Sequence, residues 1–132
     1  MENEWMDSRS QRRERAAMLF MIKAVHSLAF FAIQSAILFL LYTGVRGRSD
    51  RQAGIAAAIA VGESVIYAGN GFRCPLTSLA ENLGAEHGQV TDIFLPKWLA
   101  SNVARIYTPL LATALVLHAR NIARNRYRLE AR

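Results

Sequence analysis

The chain has 132 residues, 52% of them hydrophobic and 20% charged, with a formal net charge of +6. The apolar residues gather in long runs, and the basic residues, nearly all arginine, sit in their flanks; this segregation argues against a soluble domain, which interleaves the two. It also argues against nucleic-acid binding, which needs a basic face, and fits anionic lipid head groups and topology signals instead.

Residues 1–17 are polar, with Arg9, Arg12, Arg13 and Arg15 set against Glu2, Glu4, Asp7 and Glu14. They read as a solvated tail, either helical or disordered. The apolar run that follows is too long for the hydrophobic part of a signal peptide, and no small-x-small site closes it, so it is expected to be a retained helix. This first span covers about 18–42, with Lys23 near its start, His26 and Gln34 deeper, and Tyr42 at the far interface. A short loop rich in glycine and arginine leads to a second span, about 53–72. There Gly54, Ala58 and Gly62 form a small-residue stripe suited to close helix approach between copies or with another subunit.

A polar connection follows. Pro75 ends or redirects the second helix, and Ser78 with Glu81 reads as a capping box opening a short interfacial helix. Pro96 is placed in the first turn of a third helix and Trp98 in the interfacial belt. The third span, about 95–119, contains Arg105 and Pro109; its uncharged stretch, Ile106 to Ala119, holds only 14 residues. A basic tail, 125–132, closes the sequence. Of the two possible orientations, the positive-inside rule favours a cytoplasmic first loop and C-terminal tail.

Three crossings would gather the unusual polar residues in one half of the membrane. At ~1.5 Å per residue, His26 lies roughly 10 Å and Glu63 roughly 13 Å below the same surface. Asn70 and Cys74 share a helical face with Glu63, Arg105 enters from that side, and Asp92 and His87 belong to the connection above. Glu63 is the strongest signal, because an ionised carboxylate in lipid costs at least ~2.5 kcal/mol. It must face the bundle, be protonated or be paired, with Arg105 the natural charge partner and His26 the natural hydrogen-bond partner. A buried pair that fixes helix register and a polar pocket for a ligand, proton or head group are both open.

His26 reads first as a helix-packing histidine; a mixed metal site with Glu63 and His87 or Asp92 has no supporting ligand spacing, so no metal and no cofactor is assigned. Cys74 is the single cysteine, which excludes an internal disulfide and any Cys-x-x-Cys motif. It reads as a half-buried turn residue before Pro75, with a reactive thiol as the alternative, since Arg73 is adjacent.

The run Asn70 to Thr77, with Arg73-Cys74-Pro75-Leu76-Thr77 at its heart, and the run Val90 to Trp98 resemble a group of small uncharacterised bacterial inner-membrane proteins. More distantly they are similar to the family called domain of unknown function 2784, over roughly residues 20–120. That family has a histidine in its first helix, a glutamate before a Cys-Pro-Leu-Thr turn and an arginine entering its last helix, matched here by His26, Glu63 and Arg105. Glu81 departs from the pattern, following Thr77 by four positions rather than three. The resemblance implies a bacterial inner-membrane location and brings no activity.

The expected fold is therefore an all-α membrane bundle of three spans plus one interfacial helix. The expected function is a non-enzymatic accessory or lipid-interacting protein with membrane lipids as partners. The alternative is a membrane enzyme or cofactor binder acting on a lipid-soluble or head-group substrate.

Overall fold

The computed structural model describes residues 2–82 and 96–131. It consists of α1 (Glu2–Val45), α2 (Arg51–Gly69), α3 (Pro75–Asn82) and α4 (Lys97–Glu130). The described residues contain no strand.

Helix α1 takes in the polar N-terminal segment without a break. At ~1.5 Å per residue it is about 66 Å long, roughly twice the thickness of a hydrocarbon core. Its end is set by Gly47, whose φ of 71° supplies the left-handed turn. The amide of Arg48 donates to the Thr43 carbonyl and that of Gly47 to the Gly44 carbonyl, the two bonds of a Schellman stop. Asp50 then caps α2, its Oδ1 accepting from the Ala53 amide at 3.0 Å. Helix α2 stops by the same device as α1: Gly71 has a φ of 70°, and Phe72 donates its amide to the Tyr67 carbonyl. The Phe72 and Tyr67 rings meet edge to face at 5.9 Å, the apolar contact that accompanies this stop.

Helix α1 is the hub: α2, α3 and α4 all pack against it. Alanines make the α2 contact, Ala53, Ala56 and Ala60 lying buried in one cluster with Ile37 and Leu40 of α1 and Ala114 of α4. Small side chains let the backbones approach closely. The stripe of Gly54, Ala58 and Gly62 faces outward, with open space beyond Gly54 and Gly62. Helix α4 runs parallel to α1. Phe30 meets Tyr107 near one end, at 6.4 Å between ring centroids, and Leu40 meets His118 near the other.

The surface is inverted relative to a soluble bundle. His26, Ser27, Gln34, Thr43 and His118 are buried, while Phe20, Met21, Leu28, Phe31, Ile55, Ile59, Val65 and Val116 are exposed. Helices α1 and α2 are long and apolar enough to cross a membrane; the described part of α4 does not meet that measure, its apolar stretch being bracketed by Arg105 and Arg120.

The N-terminal residues take the helical of the two forms expected for them, because Glu, Arg, Met and Ala all favour helix. Two boundaries differ from the sequence expectation. The short helix opens at Pro75, three residues before Ser78, because proline suits a first helical position. Pro96 occupies the cap position of α4 rather than its first turn.

Candidate functional site

Three of the predicted site residues come together, each from a different element. His26 is 7% exposed on the packed face of α1. Glu63, half-buried on α2, lies within electrostatic reach of the His26 imidazole. Cys74, half-buried just before α3, lies within electrostatic reach of the same imidazole. The local fold explains the thiol's position. The Gly71–Phe72 turn reverses the chain at the end of α2, and Cys74 then occupies the position preceding Pro75 at the start of α3. Its carbonyl accepts from the Thr77 amide at 3.0 Å.

These contacts act on the thiol in opposite directions. Burial pushes the Cys74 pKa up, but the hydrogen bond from His26 and those from the Leu76 and Thr77 amides, with the charge of His26, outweigh it, so the thiol titrates below its ordinary range. A thiolate at a helix N-terminus beside an imidazole is the arrangement that makes a cysteine nucleophilic.

Helix α3 is clamped over this site. Arg73 donates to Glu81 at 2.7 Å, and the Glu81 side chain is 9% exposed against 50% for Arg73. Glu81 thus works as an ion-pair partner for the turn, and Ser78 lies inside the helix, so the pair does not form the expected capping box. Ala80 buries the inner face of α3.

The other predicted residues lie elsewhere. Asn70 is exposed and donates to the Arg73 carbonyl at 2.8 Å, bracing the turn. Arg105 is on the exposed face of α4, away from the packed face that carries Tyr107, Leu111 and Ala114, and no Glu63–Arg105 pair forms. The reason is topological: α2 and α4 both dock on α1, so the side of α4 that carries Arg105 is not turned toward α2. Asp92 and His87 lie outside the described residues. Among the described residues, no three His, Cys, Asp or Glu side chains are placed to hold a metal ion.

A second polar cluster, at the opposite end of α1, escapes the sequence reading. His118 Nε2 lies 3.0 Å from the Leu40 carbonyl and 3.3 Å from Thr43 Oγ1, and Nδ1 lies 2.8 Å from Ser49 Oγ. A carbonyl only accepts, so Nε2 carries a proton toward Leu40, and Nδ1 pairs with the Ser49 hydroxyl. Asn121 adds a bond from Nδ2 to the Gly44 carbonyl at 2.9 Å. The spacing of His118 and Asn121, one helical turn apart and opposite Thr43-Gly44, is the only signal the sequence holds for this cluster.

No family model, no curated protein and no solved structure matches this chain.

Proposed function

We propose that the chain is a multi-pass protein of the bacterial inner membrane, with α1, α2 and α4 crossing the bilayer, and that it serves as a non-enzymatic accessory or lipid-interacting protein. The observation that carries this reading is the inverted surface. Large apolar side chains ring α1 and α2, while His26, Ser27, Gln34 and Thr43 of α1 and His118 of α4 face inward. Lipid rewards that distribution, whereas water would penalise it. Helix α4 completes the bundle. Its 14 uncharged residues span ~21 Å, and snorkelling of Arg105 and Arg120 from its exposed face extends its reach toward both head-group layers. The outward stripe of Gly54, Ala58 and Gly62 gives a second copy or a partner helix a close approach.

Alkaline carbonate extraction of membranes from cells expressing the chain tests the reading. The protein is expected to stay in the membrane pellet until detergent is added, and release by carbonate alone would refute it. Mass spectrometry of the purified protein is expected to find co-purifying anionic lipid and no small molecule whose retention depends on Glu63.

A second reading, a membrane enzyme acting on a lipid-soluble or head-group substrate, is favoured by one observation: His26 lies within electrostatic reach of both Glu63 and Cys74. A small molecule retained by the wild type and lost in Glu63→Gln would select it.

A further inference from the structure

We propose that the turn between α1 and α2, with the stretch of α4 joined to it, holds the head-group phosphate of an anionic phospholipid through Arg46, Arg51, Arg120 and Arg124. The proposal rests on the membrane placement given above and says where the lipid is held. It starts from a joint. His118 Nδ1 lies 2.8 Å from Ser49 Oγ, and Asn121 Nδ2 donates to the Gly44 carbonyl at 2.9 Å. These bonds tie the turn to α4, so the arginines of both elements stand at one end of the bundle.

All four arginines are exposed. Arg46 is held in place: its Nε donates to Tyr42 Oη at 3.3 Å, and its guanidinium carbon lies 5.5 Å from the Tyr42 ring centroid. The terminal amino groups of that fork are the part that suits a phosphate. Arg51 opens α2. A cation at a helix N-terminus opposes the helix dipole, and an anion beside it offsets both charges. Arg120 and Arg124 share one stripe of α4, one turn apart. Carboxylates are scarce here. Asp50, the one acid of the turn, caps α2 through Oδ1, and its Oδ2 lies 3.8 Å from Arg48; α4 has no acid before Glu130.

The level of these cations selects the partner. The uncharged stretch of α4 ends at Ala119. Arg120 and Arg124 span the next ~6 Å, and the polar layer on each side of a hydrocarbon core is about 5–7 Å thick. The cations therefore lie at the depth of lipid phosphates. Leu38, Val45 and Val116 are exposed on the same helices, where the acyl chains of that lipid would run. A nucleic acid or an acidic protein, arriving from water, meets only the outer side of this layer. The opposite end of the bundle lacks the excess of charge, since Arg9, Arg12, Arg13 and Arg15 are matched by Glu2, Glu4, Asp7 and Glu14.

The test uses the full chain in nanodiscs of mixed phosphatidylglycerol and phosphatidylcholine, with retained lipid identified by native mass spectrometry. The wild type is expected to retain phosphatidylglycerol over phosphatidylcholine, and added salt to shrink that preference. Combined Arg46→Gln, Arg51→Gln, Arg120→Gln and Arg124→Gln should lower the preference about ten-fold or more. Combined Arg9→Gln, Arg12→Gln, Arg13→Gln and Arg15→Gln removes as many cations from the other end and should change it less than about two-fold. No preference in the wild type, a preference that survives the first set, an equal fall in both sets, or retention of inorganic phosphate or nucleic acid in place of lipid overturns the proposal. A phosphatidylglycerol with a photoreactive head group gives a readout that needs no variant. Crosslinks to residues 46–51 or 120–124 support the site, and crosslinks confined to residues 1–17 overturn it. Carbonate extraction of membranes carrying the same chain separates the two readings. A carbonate-resistant protein without the preference refutes this site alone, whereas release by carbonate refutes both.

Discussion

His118 on α4 donates from Nε2 to the main-chain carbonyl of Leu40 on α1, 3.0 Å away, and so ties the two longest helices together. Leu40 is fully buried, and its carbonyl already takes part in the α1 ladder, so the imidazole fills that oxygen's second acceptor position. Replacing His118 with Phe keeps the volume and removes the bonds to Leu40, Thr43 and Ser49 together. The expected cost is about 1–3 kcal/mol, measured by reversible unfolding in mixed micelles. Ser49→Ala, which removes one bond and leaves Nδ1 unsatisfied, is expected to lose part of that; no loss in either variant would remove the cluster from the account.

Gly44 belongs to the same junction. A Cβ added there would meet Leu117 Cβ at 3.1 Å and His118 Nε2 at 3.4 Å, whereas one added at Gly62 would meet nothing within 4 Å. Gly44→Ala should therefore destabilise by about 1–3 kcal/mol through overpacking. Gly62→Ala should be neutral, or stabilising by about 0.5–1 kcal/mol, since alanine is the better helix former. Parallel unfolding curves of the two variants check the contrast, and equal effects would show that α1 and α4 do not approach at Gly44.

Gln34 lies in the middle of the packed face of α1 with its side-chain oxygen buried and without a hydrogen bond. Such a group costs its desolvation and returns nothing. Gln34→Leu should leave stability within about 1 kcal/mol of wild type or raise it. A larger loss would mean that the oxygen has a partner, and a search for a bound water or lipid group would follow.

Glu63 and Arg105 point to different surroundings. A double-mutant cycle of Glu63→Gln and Arg105→Gln should therefore be additive, with a coupling below about 0.5 kcal/mol. Coupling well above that would restore the ion pair suggested by the sequence.

The all-helical fold was legible because its signals are local. Arginine flanks bound the apolar runs, and Asp50, Gly47, Gly71 and Pro75 mark helix ends through their own backbone preferences. Counting residues along antiparallel helices puts His26, Glu63 and Cys74 at a similar level, and His26 lies within electrostatic reach of the other two. Rotation about a helix axis was less legible. Arg105 sits at a suitable depth but on the exposed side of α4, and that side is fixed by α4 docking on α1 rather than on α2. The alanine row on α2 was overlooked for the same reason: Ala53, Ala56 and Ala60 interleave with Gly54, Ala58 and Gly62, and composition alone does not say which row faces α1. Ser78 and Glu81 have capping-box spacing, but Pro75 lies upstream and starts the helix first.

The account depends most on α4 crossing the membrane, because a third crossing is what sets α1 and α4 parallel through the bilayer. Protease protection of epitope tags at both ends of the full chain, in oriented inner-membrane vesicles, tests this directly. Three crossings place the two tags on opposite sides, so one is cleaved and the other protected until detergent is added. Two tags cleaved together, or protected together, would leave α4 outside the bilayer and contradict the account.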